Sequence, residues 1–188
     1  MGTQAAPAAR EIAAVGVIGA GQMGSGIAQL AAAAGCGVFL LDSDPAALSR
    51  AVASISSSLS RLVSKGQLSQ AACDDSVKRI KCVSDVEELR GVDLVIEAIV
   101  ESEDIKKKLF VELDRITKPS AILASNTSSI SITRLASATS RPSQVTTNQS
   151  GLSQQSLLST PLACLSRILH RIVMQTLSIA SGAAVCEL

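Results

Sequence analysis

The 188-residue chain has almost no excess of charge: 17 Lys and Arg stand against 16 Asp and Glu, a net +1. Nucleic acids and anionic membranes are held by strongly basic surfaces, so neither partner is expected. Histidine occurs once, as His170 between Leu169 and Arg171. With no orienting partner beside it, it reads as a surface residue rather than a general base. GxSxG is missing, which removes the nucleophile elbow of serine hydrolases. The five cysteines (Cys36, Cys73, Cys82, Cys164, Cys186) are odd in number and never form a C-x-x-C pair. They read as reduced, mostly buried thiols, neither a disulfide frame nor a metal site. No apolar run reaches the length of a membrane span. Met1 to Ala9 lacks the basic and apolar regions of a secretory signal, and Ala6 stands where a myristoylation motif needs Ser or Thr. Cys186-Glu187-Leu188 is not an SKL-type address. The expected location is therefore inside the cell, in peroxisome or cytoplasm, with no targeting signal to choose between them.

What the chain does have is a core's worth of apolar residues, 47% of the total, and one stretch with unusual grammar. Val15-Gly16-Val17-Ile18 runs directly into Gly19-Ala20-Gly21-Gln22-Met23-Gly24 and on into a small-residue helix. In such a G-x-G-x-x-G turn the first glycine allows the tight bend. The second lets the backbone approach a pyrophosphate, and the third lets helix and strand pack closely. The free N–H groups and positive dipole end of the helix then face the phosphates. A second strand, Val38-Phe39-Leu40-Leu41, ends in Asp42, roughly 20 residues past the glycines, where the fingerprint wants an acid for the ribose hydroxyls. A carboxylate there, with no arginine beside it, favours NAD over NADP.

Read in order, the chain predicts strands at 14–18 and 37–41 and a helix between them over 22–34. Asp44 is an N-cap and Pro45 the first position of a helix that runs to about Lys65 and ends at Gly66. A short amphipathic piece at 69–75 and a strand near 80–83 follow. Asp93 to Ala98 is the clearest central strand. A charged helix over 102–117 turns Ile105, Leu109, Phe110 and Leu113 inward, and Ala121 to Ala124 forms another strand. Strands alternating with helices predict an α/β fold, a doubly wound parallel sheet with right-handed crossovers. Ligands of such sheets lie beyond the carboxyl ends of the strands. The glycine turn, Asp42, Glu97 to Glu101 and Ser125 to Ser128 converge on that edge.

Individual residues on it have plainer readings too. Glu97 and Glu101 can be solvated acids at a helix start, and Lys106, Lys107 and Lys108 a wet charged face. Ser58 and Lys65, seven residues apart, share a helix face. Ser125, Asn126, Thr127 and Ser128 offer hydrogen bonds but no activated nucleophile.

Several motifs in order resemble one family. They are Val17 to Ala28, Asp42, Asp93-Leu94-Val95-Ile96-Glu97-Ala98-Ile99-Val100-Glu101, Ala124-Ser125-Asn126-Thr127-Ser128-Ser129-Ile130 and Arg141-Pro142. Together they resemble the L-3-hydroxyacyl-CoA dehydrogenases, of the 3-hydroxybutyryl-CoA dehydrogenase type, from about Ala13 to Val145. The resemblance implies a Rossmann-type domain over 13–145, after a flexible 1–12, and NAD as cofactor. It implies NAD contacts from Gly19, Ala20, Gly21, Gln22, Met23, Gly24, Asp42, Glu101, Lys106 and Ser128. Ser58 and Lys65 would meet the coenzyme A part of an acyl-CoA substrate, and Ser128 the substrate's 3-oxygen.

After Val145 the family pattern stops. Where the family has a His-Phe-x-Asn-Pro motif, the register places Gln149, in Thr147-Asn148-Gln149-Ser150-Gly151. Glutamine is no base near neutral pH, and losing positioned general-base catalysis costs about 10²–10⁴ in rate. The sixth strand and the helical domain that closes the site and forms the dimer are expected to be missing. Residues 146–188 read as a divergent tail, the product of an alternative transcript or a shifted reading frame. In it Leu162, Leu165, Ile168, Leu169, Ile172, Val173 and Leu177 line one face of an amphipathic helix. Three readings follow: a family dehydrogenase reduced to its cofactor domain, monomeric and inactive alone; a non-catalytic NAD(H)-binding or interaction module that uses the tail helix as its contact; or an unstable by-product that exposes apolar surface the family buries.

Overall fold

A computed structural model describes residues 12–147. Among them a six-stranded, fully parallel sheet runs in the order β3-β2-β1-β4-β5-β6. The first half is β1 (Ala14–Ile18), α1 (Gln22–Ala33), β2 (Gly37–Leu41), α2 (Pro45–Ser64), α3 (Gln70–Lys78) and β3 (Ile80–Val83). The second half is β4 (Leu94–Glu97), α4 (Glu103–Ile116), β5 (Ile122–Ser125), α5 (Ile132–Ala136) and β6 (Val145–Thr147). This is the doubly wound order in which the connections reverse direction between β1 and β4, opening a crevice at the carboxyl ends of those strands.

Alternation along each strand splits the core into two layers. Val15, Val17, Leu40, Leu94 and Ile96 pack under α1 and α2 with Ile27, Ala31, Ile55 and Leu59. Val95 and Leu123 point the other way, into a layer with Phe110 and Leu113 of α4 and Leu135 of α5. The same period of two carries Glu97, two residues after Val95, and Ser125, two after Leu123, onto the α4 face.

The helix boundaries follow local chemistry. The Asp44 carboxylate accepts the Ala46 N–H at 2.9 Å and Pro45 opens α2, while Gly66 at φ +70° ends it with its N–H on the Val63 carbonyl. Ser69 caps α3 by accepting the Ala72 N–H. At the far end of α4, the Arg141 guanidinium meets Asp114 at 2.7 Å and donates to the carbonyls of Asp114 and Lys118 and to the Thr117 hydroxyl. That side chain closes the helix terminus and fixes the segment that leads into β6.

Three expectations are corrected. A sixth strand does form: Val145 to Thr147 pair with Leu123 to Ser125, so the parallel sheet continues past the point where the apolar pattern fades. Only three residues are needed for the ladder, and backbone hydrogen bonding does not depend on the side chains being apolar. On α4, Ile105 is 49% exposed rather than inward. The stripe that contains Phe110 and Leu113 passes through Lys106, four and seven residues back, because 3.6 residues make a turn. Lys106 is therefore wholly buried, not part of a wet face. Cys82 is exposed on the edge strand β3, whereas Cys36 and Cys73 are buried. The tail helix of 162–177, His170, Gln149, Cys164 and Cys186 lie outside the described residues. Among the described residues no helix is long and apolar enough to cross a membrane.

Candidate cofactor-binding edge

Gly19, Gly21 and Gly24 have separate physical roles here. Gly19 holds φ +101°, and a Cβ there would stand 2.5 Å from the Ala98 carbonyl oxygen. A Cβ on Gly24 would stand 1.7 Å from the Gly19 carbonyl oxygen, so helix and turn are in backbone contact. At Gly21 nothing lies within 4 Å. This open position is also the N-cap of α1, with no side chain on its first-turn N–H groups and no acid in its first turn. The first turn of α1 is thus left to an external acceptor, and the donor set fits a pyrophosphate: backbone N–H groups at a dipole end, with no acid in the helix's own first turn.

Asp42 sits at the end of β2 and ties the turn to it. One carboxylate oxygen accepts the Ala20 N–H at 2.6 Å and the other the Asp44 N–H at 2.9 Å. Ala20 is buried, while Gln22 is exposed and Met23 half-buried at the start of α1. Beside the turn, a cleft of about 750 Å³ opens over the ends of β1, β2 and β4. Gly21 and Asp42 line it on one side, and Val86, Ile99, Val100 and Ile105 on the other. Val100, 66% exposed, and Ile105 give it an apolar wall at the surface. Exposed large apolar side chains in a concave site are what a flat aromatic ligand uses.

The second half of the edge is polar and tightly bonded. Lys106 Nζ reaches both oxygens of Glu97, at 2.7 and 2.8 Å, and one oxygen of Glu101 at 3.3 Å. Its three N–H donors are matched by three carboxylate oxygens. Glu97 also accepts from the Ser125 hydroxyl, its register partner across β4 and β5. Neither Glu97 nor Lys106 has any exposed side-chain surface. Glu101 is 38% exposed. Its other oxygen accepts from the Thr127 hydroxyl at 2.5 Å, the Ser129 hydroxyl at 2.9 Å and the N–H groups of Ser128 and Ser129 at 3.2 Å. Burial pushes the Glu101 carboxyl up, but the Thr127 and Ser129 hydrogen bonds and the Lys106 charge outweigh it and bring it to about 2. Glu101 is thus an anion that orders the 127–129 loop and keeps part of its surface open, with exposed Ser128 beside it.

The sequence-derived residues therefore fall into three groups. Gly19 to Gly24 and Asp42 are brought together directly. Glu101, Lys106 and Ser128 form a second cluster on the β4–β5 side. Ser58 and Lys65 join neither: α2 starts at the edge and carries the chain about 20 Å along its axis by Ser58, which is half-buried, and about 30 Å by Lys65, which is exposed. Glu97 as the partner of Lys106 was not legible in the motifs, and its only signal was an acid inside an otherwise apolar strand. Thr127 was legible as a hydrogen-bonding residue, but not that it and Ser129 donate to Glu101.

The family profile described as "3-hydroxyacyl-CoA dehydrogenase, NAD binding domain" matches residues 14–148. A 3-hydroxybutyryl-CoA dehydrogenase of Bradyrhizobium diazoefficiens is 51% identical over 128 residues, covering 68% of this chain and 44% of that protein. A probable 3-hydroxybutyryl-CoA dehydrogenase of Deinococcus radiodurans is 50% identical over 129 residues, 69% of this chain and 46% of the relative. The crystal structure of (S)-3-hydroxybutyryl-CoA dehydrogenase from Ralstonia eutropha superposes with a TM-score of 0.74 at 34% identity, covering 86% of this chain and 61% of that one. The chain thus spans less than half the length of the curated relatives it matches.

Proposed function

The chain belongs to the 3-hydroxyacyl-CoA dehydrogenase family as its NAD-binding domain, and on that premise we propose that it holds NAD(H) across the carboxyl edge of the sheet for the interconversion of L-3-hydroxyacyl-CoA and 3-ketoacyl-CoA. The adenosine half lies in the apolar cleft with Asp42 on its ribose. The pyrophosphate sits on the N–H groups at the start of α1, those of Gln22 and Met23, since the Ala20 N–H is held by Asp42. The nicotinamide half lies toward Glu101 and Ser128, with Lys106 behind Glu101. The observation that carries this layout is the contrast between Gly24, jammed against Gly19, and Gly21, open to solvent.

Bound NAD supplies the acceptor for the hydride that leaves carbon 3 of the hydroxyacyl group. The residues of this chain orient the reactants: Ser128 holds the substrate's 3-oxygen, and Ser58 and Lys65 hold the coenzyme A part at a distance. Gln149, where the register calls for the family's histidine, takes no proton from the 3-hydroxyl near neutral pH. The chain by itself therefore binds the cofactor without turnover. The test is acetoacetyl-CoA reduction followed as loss of NADH absorbance, beside an NADH titration of the same sample. Saturable NADH binding without turnover supports this reading. Turnover within tenfold of a full-length relative contradicts the inactive assignment, and a folded chain that binds no NADH contradicts the whole.

A further inference from the structure

Glu97 is the one acid in the described core with no access to solvent. It ends β4, and its carboxylate accepts four hydrogen bonds: two from Lys106, one from the Ser125 hydroxyl, and one from the Ile99 N–H at 3.3 Å. Packing alone does not call for this. A buried ion pair of this kind is often replaced by apolar residues of similar volume without loss of stability, because desolvating two charges offsets their attraction. A sequence that breaks the apolar rule at the end of its central strand, next to a binding edge, does so at a place where function is expected.

The contacts form one continuous line. Glu97 fixes Lys106, whose third N–H reaches Glu101. Glu101 in turn gathers four donors from residues 127–129. Ser125, at the other end of that loop, is fastened to Glu97 itself. Glu97 therefore holds both the carboxylate and the loop of the β4–β5 side, and none of its side-chain hydrogen bonds goes to the glycine turn or to Asp42. We propose that Glu97 is a positioning residue for the nicotinamide half of the cofactor, acting through Lys106 and Ser125 on Glu101 and the 127–129 loop. This rests on the NAD(H) layout proposed above.

The two halves of the edge give the test its discrimination. ADP occupies only the adenosine side, whereas NADH needs both. The full chain, its Glu97→Gln variant and the double variant Glu97→Gln/Lys106→Met are titrated with NADH and with ADP, and their melting is followed by circular dichroism. The double variant leaves no lone charge buried, so it keeps the test open where the single variant folds poorly. The expected result is NADH affinity about tenfold weaker in both variants, the size of one charge-assisted hydrogen bond, with ADP affinity unchanged. Equal weakening toward NADH and ADP, or unchanged NADH affinity in a folded variant, overturns the proposal and leaves a structural role. Wild-type chain that binds ADP but not NADH also overturns it, and wild-type chain that binds neither overturns the function on which it rests.

Discussion

The Gly24 Cα faces the Gly19 carbonyl so closely that an added Cβ would stand 1.7 Å from the oxygen. Both partners are backbone, so neither can swing aside. Gly24→Ala is therefore expected to displace α1 from β1 and to cost more than about 3 kcal/mol, the upper range for overpacked sites. Gly21→Ala meets nothing within 4 Å and is expected to melt like wild type. Yet it should weaken NADH binding at least about tenfold, since its methyl group enters the space where the backbone meets the pyrophosphate. Melting by circular dichroism and NADH titration on the two variants separate fold from binding.

Asp42 secures the Ala20 N–H with one oxygen and the exposed Asp44 N–H with the other, and it presents a carboxylate at the ribose position. Asp42→Asn retains an acceptor for Ala20 but removes the charge that repels a 2′-phosphate. The expected outcome is a fold close to wild type and a smaller preference for NADH over NADPH, read as the ratio of the two dissociation constants. An unchanged ratio would place the ribose elsewhere.

Acid should act on the Glu101 loop. Its carboxyl lies at about 2, below the ordinary 4.5, so the folded state favours the anion. That contribution is full above pH 4.5 and is lost as pH falls toward 2. Asp93 and Asp114 are lowered in the same sense. Burial raises both, but Lys118 at one, and the Ser140 amide and Arg141 at the other, outweigh it. Glu101→Gln should therefore flatten, without abolishing, the fall in melting temperature across this window.

Arg141 joins the end of α4 to the approach of β6 through Asp114, Thr117 and Lys118. Arg141→Met leaves Asp114 and several helix-terminal carbonyls without that donor and is expected to cost about 3 kcal/mol, as for removal of one partner of a largely buried pair. Denaturant unfolding measures it. NADH affinity of the variant should stay at the wild-type value under native conditions, because the network lies at the opposite end of α4 from Glu101.

Much of this architecture could be read from local chemistry. β1 and β2 have the expected bounds because short apolar runs are closed by glycine or acid, and α2 begins where Asp44 and Pro45 require. α5 and β6 were harder: five and three residues carry too little periodicity, and their stability comes from the neighbours they pack on. Lys106 shows the limit most clearly. In sequence it is one of three lysines, and only Glu97 and Glu101, both from outside the helix, make its burial tolerable. The glycine turn was legible because each glycine meets a local backbone constraint. The Glu97–Lys106–Glu101 line was not, because it depends on three elements meeting.

The most direct measurement is an NADH titration of the full chain followed by nicotinamide fluorescence. The expected result is saturable one-to-one binding that Gly21→Ala weakens and ADP displaces. A chain that is folded by circular dichroism and binds no NADH would contradict a cofactor edge built on Gly19, Gly21 and Gly24.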